Sequence, residues 1–440
     1  MITVVGGGPA GRLAAVRLAG AGEEVILVDR RSATGGQCLH HGCMLVCALN
    51  DCARTIAQAG RLTSLGVLDS SPHLCLRALW EETGKIQTTI AQILDKETRE
   101  AGVELLTGAE AVITEKGMTI DGRSHPTDKI LIATGSHPFV PDISGIDLPS
   151  VFTPYTIQTM QCLPKELIIV GGGVIAAEYA YIFSSFGVNV RILCRSGFLK
   201  EFDPVLQRAA RRDLAQVTIH EGVLVEGISE DSASGLLNVQ AGGNIFSADA
   251  VFLATGLVPN TSAIEGFARE RHGGIAVDAA MRTSVPNIFA AGDVTGPPYL
   301  TPVARREGRI AADAILGQPV PVMPKYIPQC IKMGYDHAFC GRADALDEEL
   351  VFPSPAGSGS FWSVPERFTG FSKITYDGTG AVTSAYAGAP GSSLFLAYVS
   401  HLMEHGSNMG SFEDFMEIHP STDAIYGMIR YAEDLRSEKK

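Results

Sequence analysis

Short apolar runs separated by glycine-rich turns and helical stretches set the pattern of this chain. The first run, Ile2 to Val5, is followed by a glycine turn and an apolar helical stretch from Leu13 to Leu18. A second run, Val25 to Val28, comes next. The order of strand, helix and strand predicts a parallel sheet covered by helices, which is an α/β fold.

The first glycine turn has the spacing Gly-x-Gly-x-x-Gly at Gly6, Gly8 and Gly11, and Asp29 ends the second strand. In such a turn the first glycine makes the tight bend and the second lets a pyrophosphate approach the backbone. The third lets the helix pack on the strand, and the acid binds a ribose hydroxyl. The segment is therefore predicted to bind a dinucleotide.

The same arrangement recurs later in the chain. The run Leu167 to Val170 leads into a turn at residues 171–176, and the next strand is predicted at Val188 to Leu193. Each copy is followed by an Ala-Thr-Gly turn, at residues 133–135 and 254–256. Two dinucleotide-binding domains in tandem are predicted, one for a flavin and one for a nicotinamide.

Two cysteines, Cys38 and Cys43, lie within residues 35–43 at the start of a predicted helix. The four residues between the two cysteines suit a short reducible disulfide, and a helix N-terminus lowers a thiol pKa. Two alternatives are buried structural cysteines and a metal site, whose further ligands would be His40, His41, Cys47 and Cys52. Two dinucleotide domains need an onward path for electrons, which favours the redox interpretation.

Composition narrows the class of protein. The chain has 440 residues, 45% of them hydrophobic, and a formal net charge of −13. This size suits two or three domains, and the charge argues against nucleic acid or an anionic membrane as partner. We expect no membrane helix. Because the first strand begins at Ile2, we also expect no signal peptide. Both expectations imply a cytoplasmic protein. The nine cysteines then indicate redox or packing roles.

The chain resembles the pyridine nucleotide-disulfide oxidoreductases, the family of dihydrolipoamide dehydrogenase, glutathione reductase and mercuric reductase. The resemblance covers essentially its whole length. The stretches that carry it are the first glycine turn, Gly36 to Cys43, both Ala-Thr-Gly turns, Asn287 to Asp293, Leu300 to Ala304, and His419-Pro420-Ser421-Thr422.

The resemblance implies two Rossmann-like dinucleotide-binding domains and a C-terminal α+β dimerisation domain. We place the FAD-binding domain at residues 1–148 and 271–320, the NAD(P)-binding domain at 149–270, and the dimerisation domain at 321–440. Pro319, Pro321 and Pro324 mark the last linker. Beyond it we expect a strand at Phe371 to Tyr376 and helices near 393–404 and 423–435.

Cofactor-binding residues follow from the resemblance. For FAD they are Gly6, Gly8, Pro9, Ala10, Gly11, Asp29, Arg30, Gly36, Gln37, Ala133, Thr134, Gly135, Glu178, Gly292, Asp293, Leu300, Thr301 and Ala304. For the nicotinamide nucleotide they are Gly171, Gly173, Val174, Ile175, Ala176, Arg195, Lys200 and Gly256.

The implied mechanism passes a hydride from the nicotinamide to FAD, and then two electrons to a Cys38–Cys43 disulfide. Cys43 would be the thiolate that faces the flavin, and Cys38 would exchange with substrate. In a homodimer, His419 of the partner subunit would act as acid and base, because an imidazole titrates near neutral pH. The implied substrate is a small disulfide or a lipoyl-like group on a protein, and no resident metal is expected.

Three departures from the family pattern affect this chemistry. Cys47 stands where a lysine usually pairs with Glu178, so we expect a flavin that is harder to reduce and an altered protonation of Glu178. The alternative is that Cys47 only packs. The acid that orients the histidine is replaced by Ala424, although Asp423 lies next to it.

The third departure concerns the nicotinamide site. Val174 replaces an aromatic gate, Ala176 replaces the third glycine, and Cys194-Arg195 replaces the acid at the end of the second strand. An acid there favours NAD, whereas cations favour the 2′-phosphate of NADP. Arg195 and Lys200 therefore favour NADP, with NAD as the alternative.

Two further questions stay open at this point. His40 and His41 lie between the redox cysteines, where substrate contact and plain solvation are equally compatible with the sequence, and both are preferred to metal ligation. The alternative functions are an electron carrier, diaphorase or redox sensor that has lost disulfide exchange, or an enzyme like 2-ketopropyl-coenzyme M oxidoreductase/carboxylase.

Overall fold

The computed structural model describes residues 1–344, 346–351, 370–412, 416 and 424–438. Within them the chain forms 24 strands and nine α-helices. The strands are β1 (Ile2–Val5), β2 (Val25–Asp29), β3 (Glu104–Thr107), β4 (Ala111–Thr114), β5 (Gly117–Ile120), β6 (Arg123–His125), β7 (Lys129–Ile132), β8 (Ser136–Pro138), β9 (Val151–Phe152), β10 (Glu166–Val170), β11 (Asn189–Cys194), β12 (Thr218–Glu221), β13 (Val225–Glu230), β14 (Leu237–Ala241), β15 (Asn244–Ala248), β16 (Ala250–Leu253), β17 (Leu257–Pro259), β18 (Ile264–Glu265), β19 (Ile288–Ala290), β20 (Gln329–Lys332), β21 (Asp336–Gly341), β22 (Glu348–Val351), β23 (Phe371–Tyr376) and β24 (Val382–Ala389). The helices are α1 (Pro9–Gly20), α2 (Gly36–His40), α3 (Cys43–Ser64), α4 (Leu76–Glu100), α5 (Val174–Ser185), α6 (Pro204–Asp213), α7 (Thr301–Ile315), α8 (Ser392–Glu404) and α9 (Ala424–Glu438).

Two parallel sheets of five strands form the centre of the fold. Their orders are β3-β2-β1-β7-β19 and β12-β11-β10-β16-β9, so β1 and β10 each pair on both sides. Every residue of β1 and β2 is buried, as expected for parallel strands with both faces covered. The predicted α/β fold with two Rossmann-like units is confirmed.

The two glycine turns are built alike. Gly6 has φ +111°, and a Cβ there would lie 2.2 Å from the carbonyl oxygen of Ala133. Gly171 has φ +133°, and a Cβ there would lie 2.1 Å from the carbonyl oxygen of Ala254. Each turn therefore needs glycine, because the backbone of the matching Ala-Thr-Gly turn packs directly against it.

The remaining strands form further sheets of two to five strands. These are β18-β4-β5-β6, β13-β14-β15, the pair β17-β8, and the antiparallel sheet β20-β21-β24-β23-β22. Helices α8 and α9 pack on the last sheet around Ala338, Leu396 and Ile429. Strand β23 and helices α8 and α9 confirm the elements expected beyond the proline linker, whereas the domain limits stay predictions. Among the helices described here, none is both long and apolar enough to span a membrane.

We predict that Gly11→Ala destabilises the protein. A Cβ at Gly11 would lie 2.0 Å from the carbonyl oxygen of Gly6, so α1 must move away from β1. The expected cost is about 1–3 kcal/mol, as for overpacked cores, measured as a lower melting temperature. Gly20→Ala in the same helix is the control, because no atom lies within 4 Å of its added Cβ. Equal melting temperatures for the two variants would contradict this account.

Candidate active site

A long cavity lies at the carboxyl edge of the first parallel sheet. It runs from Asp29 at the end of β2 to Cys43 and Thr301 at the starts of α3 and α7. Most residues predicted to bind FAD line it: Gly6, Gly8, Pro9, Ala10, Asp29, Arg30, Gly36, Gln37, Ala133, Thr134, Gly135, Gly292, Asp293, Thr301 and Ala304. Gly11, Leu300 and Glu178 are not among the lining residues. Gly11 is instead buried between α1 and β1, where its role is packing.

Asp29 organises one end of the cavity. Its carboxylate accepts hydrogen bonds from the backbone N–H groups of Gly7, at 2.6 Å, and Arg31, at 2.8 Å. A carboxylate has about four lone-pair sites, so capacity remains for ribose hydroxyls. Beside it, a Cβ added to Gly8 would have no neighbour closer than 3.8 Å. A pyrophosphate can therefore approach this backbone.

A second carboxylate, Asp293, lies towards the other end. It accepts a hydrogen bond of 2.6 Å from the Ser136 hydroxyl, and burial raises its pKa. The Tyr155 hydroxyl lies 2.9 Å from the Ser136 carbonyl oxygen and 3.1 Å from Gln37 Oε1. Ser136 and Tyr155 were not predicted from the sequence as residues of this site, although both line the cavity. Ser136 directly follows the first Ala-Thr-Gly turn, whereas no sequence signal marks Tyr155.

The two predicted redox cysteines lie side by side as free thiols. Cys38 is in α2 and Cys43 is the first residue of α3. A hydrogen bond with Cys38 lowers the pKa of Cys43 to about 6, although burial acts in the opposite direction. The Thr301 hydroxyl, 3.4 Å from the Cys43 sulfur, also lowers this pKa. The same bond, with burial, raises the pKa of Cys38. Both shifts favour Cys43 as the member of the pair that ionises first.

Helix α3 contributes to this asymmetry. It is 22 residues long, and Cys43 occupies its first turn. The N–H groups of a first helical turn have no partner within the helix and carry a partial positive charge. That charge stabilises a thiolate at Cys43, whereas Cys38 belongs to the separate short helix α2. The break between α2 and α3 at Gly42 thus gives the two thiols unequal surroundings.

The region around Glu178 differs from the expectation of a lost cation. The backbone N–H of Lys332, in β20, donates a hydrogen bond of 2.9 Å to Glu178 Oε1. The Lys332 ammonium lies 3.3 Å from both carboxylate oxygens of Asp336. Burial lowers the pKa of Lys332, but the charge of Asp336 contributes to a net rise of that pKa. Burial raises the pKa of Glu178 to about 7, against that hydrogen bond. A lysine from another part of the chain therefore places a cation near Glu178.

Cys47 lies in the same region. It is half-buried in α3, one turn after Cys43, and burial raises the pKa of its thiol while the charge of Lys332 opposes that rise. A protonated thiol is a weak nucleophile. The position is therefore consistent with packing. The sequence could not show that Lys332 approaches Cys47, because the two residues lie in different domains of the predicted organisation.

His40 and His41, whose role the sequence left open, are both half-buried. His40 Nε2 lies 3.1 Å from the Thr34 carbonyl oxygen, and the His41 ring stacks on Tyr155 with 4.3 Å between centroids. Burial lowers the pKa of both histidines, and that of His41 to about 4. Both are neutral near pH 7. Within the described parts of the chain, no three His, Cys, Asp or Glu side chains are grouped to hold a metal ion.

The second glycine turn is separate from this cavity. A Cβ added to Gly173 would meet no atom within 4 Å, and Ala176 is fully buried at the third glycine position. Arg195 and Lys200 follow β11 and are exposed. An acid that the sequence did not predict, Glu221 in β12, also lies at this edge. Its carboxylate forms an ion pair with Arg211 at 2.8 Å and accepts a hydrogen bond of 2.7 Å from the Phe198 N–H.

His419 and Asp423 lie outside the described residues. Ala424 begins α9. The predicted roles of this C-terminal element therefore stay predictions.

The comparisons with known proteins agree with this architecture. The model of the family described as pyridine nucleotide-disulphide oxidoreductase matches residues 1–308. Dihydrolipoyl dehydrogenase of Vibrio parahaemolyticus is 27% identical over 97% of this chain and 94% of its own length. Mercuric reductase of Staphylococcus aureus is 28% identical over 72% of this chain and 59% of its own.

Among solved structures, the HOCl-induced flavoprotein disulfide reductase RclA from Escherichia coli has the same fold. Its TM-score is 0.87 at 24% identity, over 98% of this chain and 99% of that one. The family match covers well over half of the chain. This protein therefore belongs to the pyridine nucleotide-disulphide oxidoreductases and is an enzyme that uses FAD and a pyridine nucleotide.

Proposed function

We propose that this enzyme is an NADPH:disulfide oxidoreductase that reduces a small disulfide or a lipoyl-like group through Cys38 and Cys43. The single observation that carries the proposal is that Cys38 and Cys43 lie side by side at one end of the cavity, with Cys43 at the start of α3 and 3.4 Å from the Thr301 hydroxyl. An enzyme that exchanges disulfides needs one thiol poised as a thiolate and a second thiol able to react with substrate.

The cavity residues fit FAD. The open backbone at Gly8 would hold the pyrophosphate of FAD, and Asp29 would bind a ribose. Asp293 would bind hydroxyls of the chain that links the pyrophosphate to the flavin, and Cys43 would lie near the flavin. Bound FAD supplies two-electron transfer between the nicotinamide and the thiol pair. The role of the protein is to hold Cys43 deprotonated at that end.

Exchange then proceeds on the two cysteines. Cys38 gives its proton to a base, and its sulfur attacks one sulfur of the substrate disulfide, so that the other leaves as a thiolate and takes up a proton. The Cys43 thiolate next attacks the sulfur of Cys38, releasing the second substrate thiol and forming the Cys38–Cys43 disulfide. Two electrons from NADPH restore the dithiol. Because the pKa of Cys38 is raised, the first step requires a base.

We assign that base to His419 of the partner subunit, in a homodimer, on the resemblance of its His-Pro context. The competing function, an electron carrier without disulfide exchange, rests on Cys47 and Ala424 in place of the usual lysine and acid. The lysine charge is supplied near Glu178 by Lys332, which weakens one of these two arguments.

The assignment of the two cysteines predicts different spectra for two serine variants. Cys38→Ser leaves Cys43 as a lone thiolate beside oxidised FAD, so a long-wavelength absorbance is expected at rest, whereas Cys43→Ser should lack it. Both variants should lose disulfide turnover and keep NADPH-dependent flavin reduction. Anaerobic stopped-flow spectra and turnover assays measure these effects. Full disulfide reductase activity in both variants would show that Cys38 and Cys43 are not the exchanging thiols.

A preference for NADPH is the second prediction here. Arg195 and Lys200 follow β11, where a 2′-phosphate would lie. We expect Arg195→Glu to lower the ratio of kcat/KM for NADPH to that for NADH by about tenfold or more, which is about 1.4 kcal/mol. Arg208→Glu, at an exposed arginine of α6, is the charge-matched control. A wild-type preference for NADH that Arg195→Glu leaves unchanged would disprove the assignment.

Glu178 predicts a pH dependence of stability. Its pKa of about 7 exceeds the ordinary value of 4.5, so the folded protein holds a proton there that the unfolded chain releases. Stability from this group is present below about pH 4.5 and is lost as pH rises to about 7, by up to about 3 kcal/mol. The melting temperature of Glu178→Gln relative to wild type should therefore be higher at pH 8 than at pH 5. The exposed Glu104→Gln should show no such trend, and a pH-independent difference for Glu178→Gln would contradict the raised pKa.

A further inference from the structure

Helix α7 begins beside the pair Cys38 and Cys43. Thr301 is its first residue, and the Thr301 hydroxyl lies 3.4 Å from the sulfur of Cys43. Arg305 follows four residues later, which places it on the same face of the helix, about 6 Å further along the axis. Arg305 is exposed. The first cation on this face is therefore one helical turn from the thiols.

The arginines of α7 differ in their partners. Arg306 donates a hydrogen bond of 2.6 Å to the Val322 carbonyl oxygen. Arg309 lies 3.7 Å from Asp313, whose carboxylate also binds Arg17 at 2.5 Å. Within the described residues Arg305 has no hydrogen bond or ion pair that would hold its guanidinium. Its donors are free for a group that comes from outside the chain.

The charge of Arg305 acts on the exchange thiol. The hydrogen bond with Cys43 and burial raise the pKa of Cys38, and the positive charge of Arg305 is among the groups that oppose this rise. The guanidinium and the Cys38 sulfur therefore share one electrostatic environment. A disulfide that reacts with Cys38 would bring its substituents into the same region.

We propose that Arg305 binds a carboxylate carried by the disulfide substrate, so that the enzyme prefers anionic disulfides to uncharged ones. This inference rests on the proposed exchange at Cys38. A guanidinium offers two parallel N–H donors that match a carboxylate, and it keeps its charge at every physiological pH. Arg305 is thus a specificity-determining residue, and the reacting sulfurs remain those of Cys38 and Cys43.

Lipoic acid and lipoamide form a matched pair of probes. They share one dithiolane ring, and only lipoic acid carries a carboxylate. With the FAD-loaded enzyme and NADPH, Arg305→Gln should lower the ratio of kcat/KM for lipoic acid to that for lipoamide about three- to tenfold, as expected for a partly exposed ion pair. Turnover of lipoamide should stay within about twofold of wild type. Added salt should lower the ratio in wild type and leave it unchanged in the variant.

Arg123→Gln is the control for net charge, because Arg123 is an exposed arginine of β6, and no residue of β6 lines the cavity, whereas Thr301 and Ala304 of α7 do. It should leave the ratio unchanged. The rates at which the reduced enzyme reacts with 5,5′-dithiobis(2-nitrobenzoate) and with uncharged 2,2′-dithiodipyridine give a second ratio that needs no lipoyl recognition. An equal ratio for wild type and Arg305→Gln with both pairs overturns the role of Arg305 and leaves disulfide exchange standing. Failure of the wild type to react with any of the four disulfides overturns the proposed function itself.

Discussion

The fold depends on a contact between two backbones that no side chain could share. At each dinucleotide turn a glycine faces the carbonyl oxygen of an alanine, Gly6 with Ala133 and Gly171 with Ala254. The same alanines donate N–H hydrogen bonds of 2.8 Å to the strands before the glycines. The first strand, the helix after it and a neighbouring strand therefore meet at one edge, where backbone N–H groups form the wall of a binding site.

The two cysteines Cys38 and Cys43 lie at the same edge. The break at Gly42 places Cys43 at the start of a long helix, where the helix dipole favours a thiolate, and leaves Cys38 in a short helix. Thr301 approaches Cys43 from the start of another helix. Two helix starts, those of α3 and α7, thus meet at the sulfur atom of Cys43. Together with the hydrogen bond between the two thiols, this placement favours a lower pKa at Cys43 than at Cys38.

Charge near the thiols comes from separate parts of the chain. Lys332 of the last sheet binds Glu178 of α5 through its backbone, and its side chain pairs with Asp336, which also binds Arg54 of α3 at 2.8 Å. The last sheet, predicted to serve dimerisation, therefore also contributes to the electrostatics around Cys47 and Glu178. Substitution of one lysine by Cys47 does not leave the region without a cation.

The sequence by itself determined the α/β class, both glycine turns, their matching Ala-Thr-Gly turns and the two cysteines. These features are local, because a glycine at a tight turn, or two thiols with four residues between them, are constrained by their immediate neighbours in the chain. Only the tertiary structure decided that His40 and His41 are half-buried and packed, and that Lys332 lies near Glu178. Burial and long-range electrostatics depend on which distant segments come together, and periodicity along a chain does not record that.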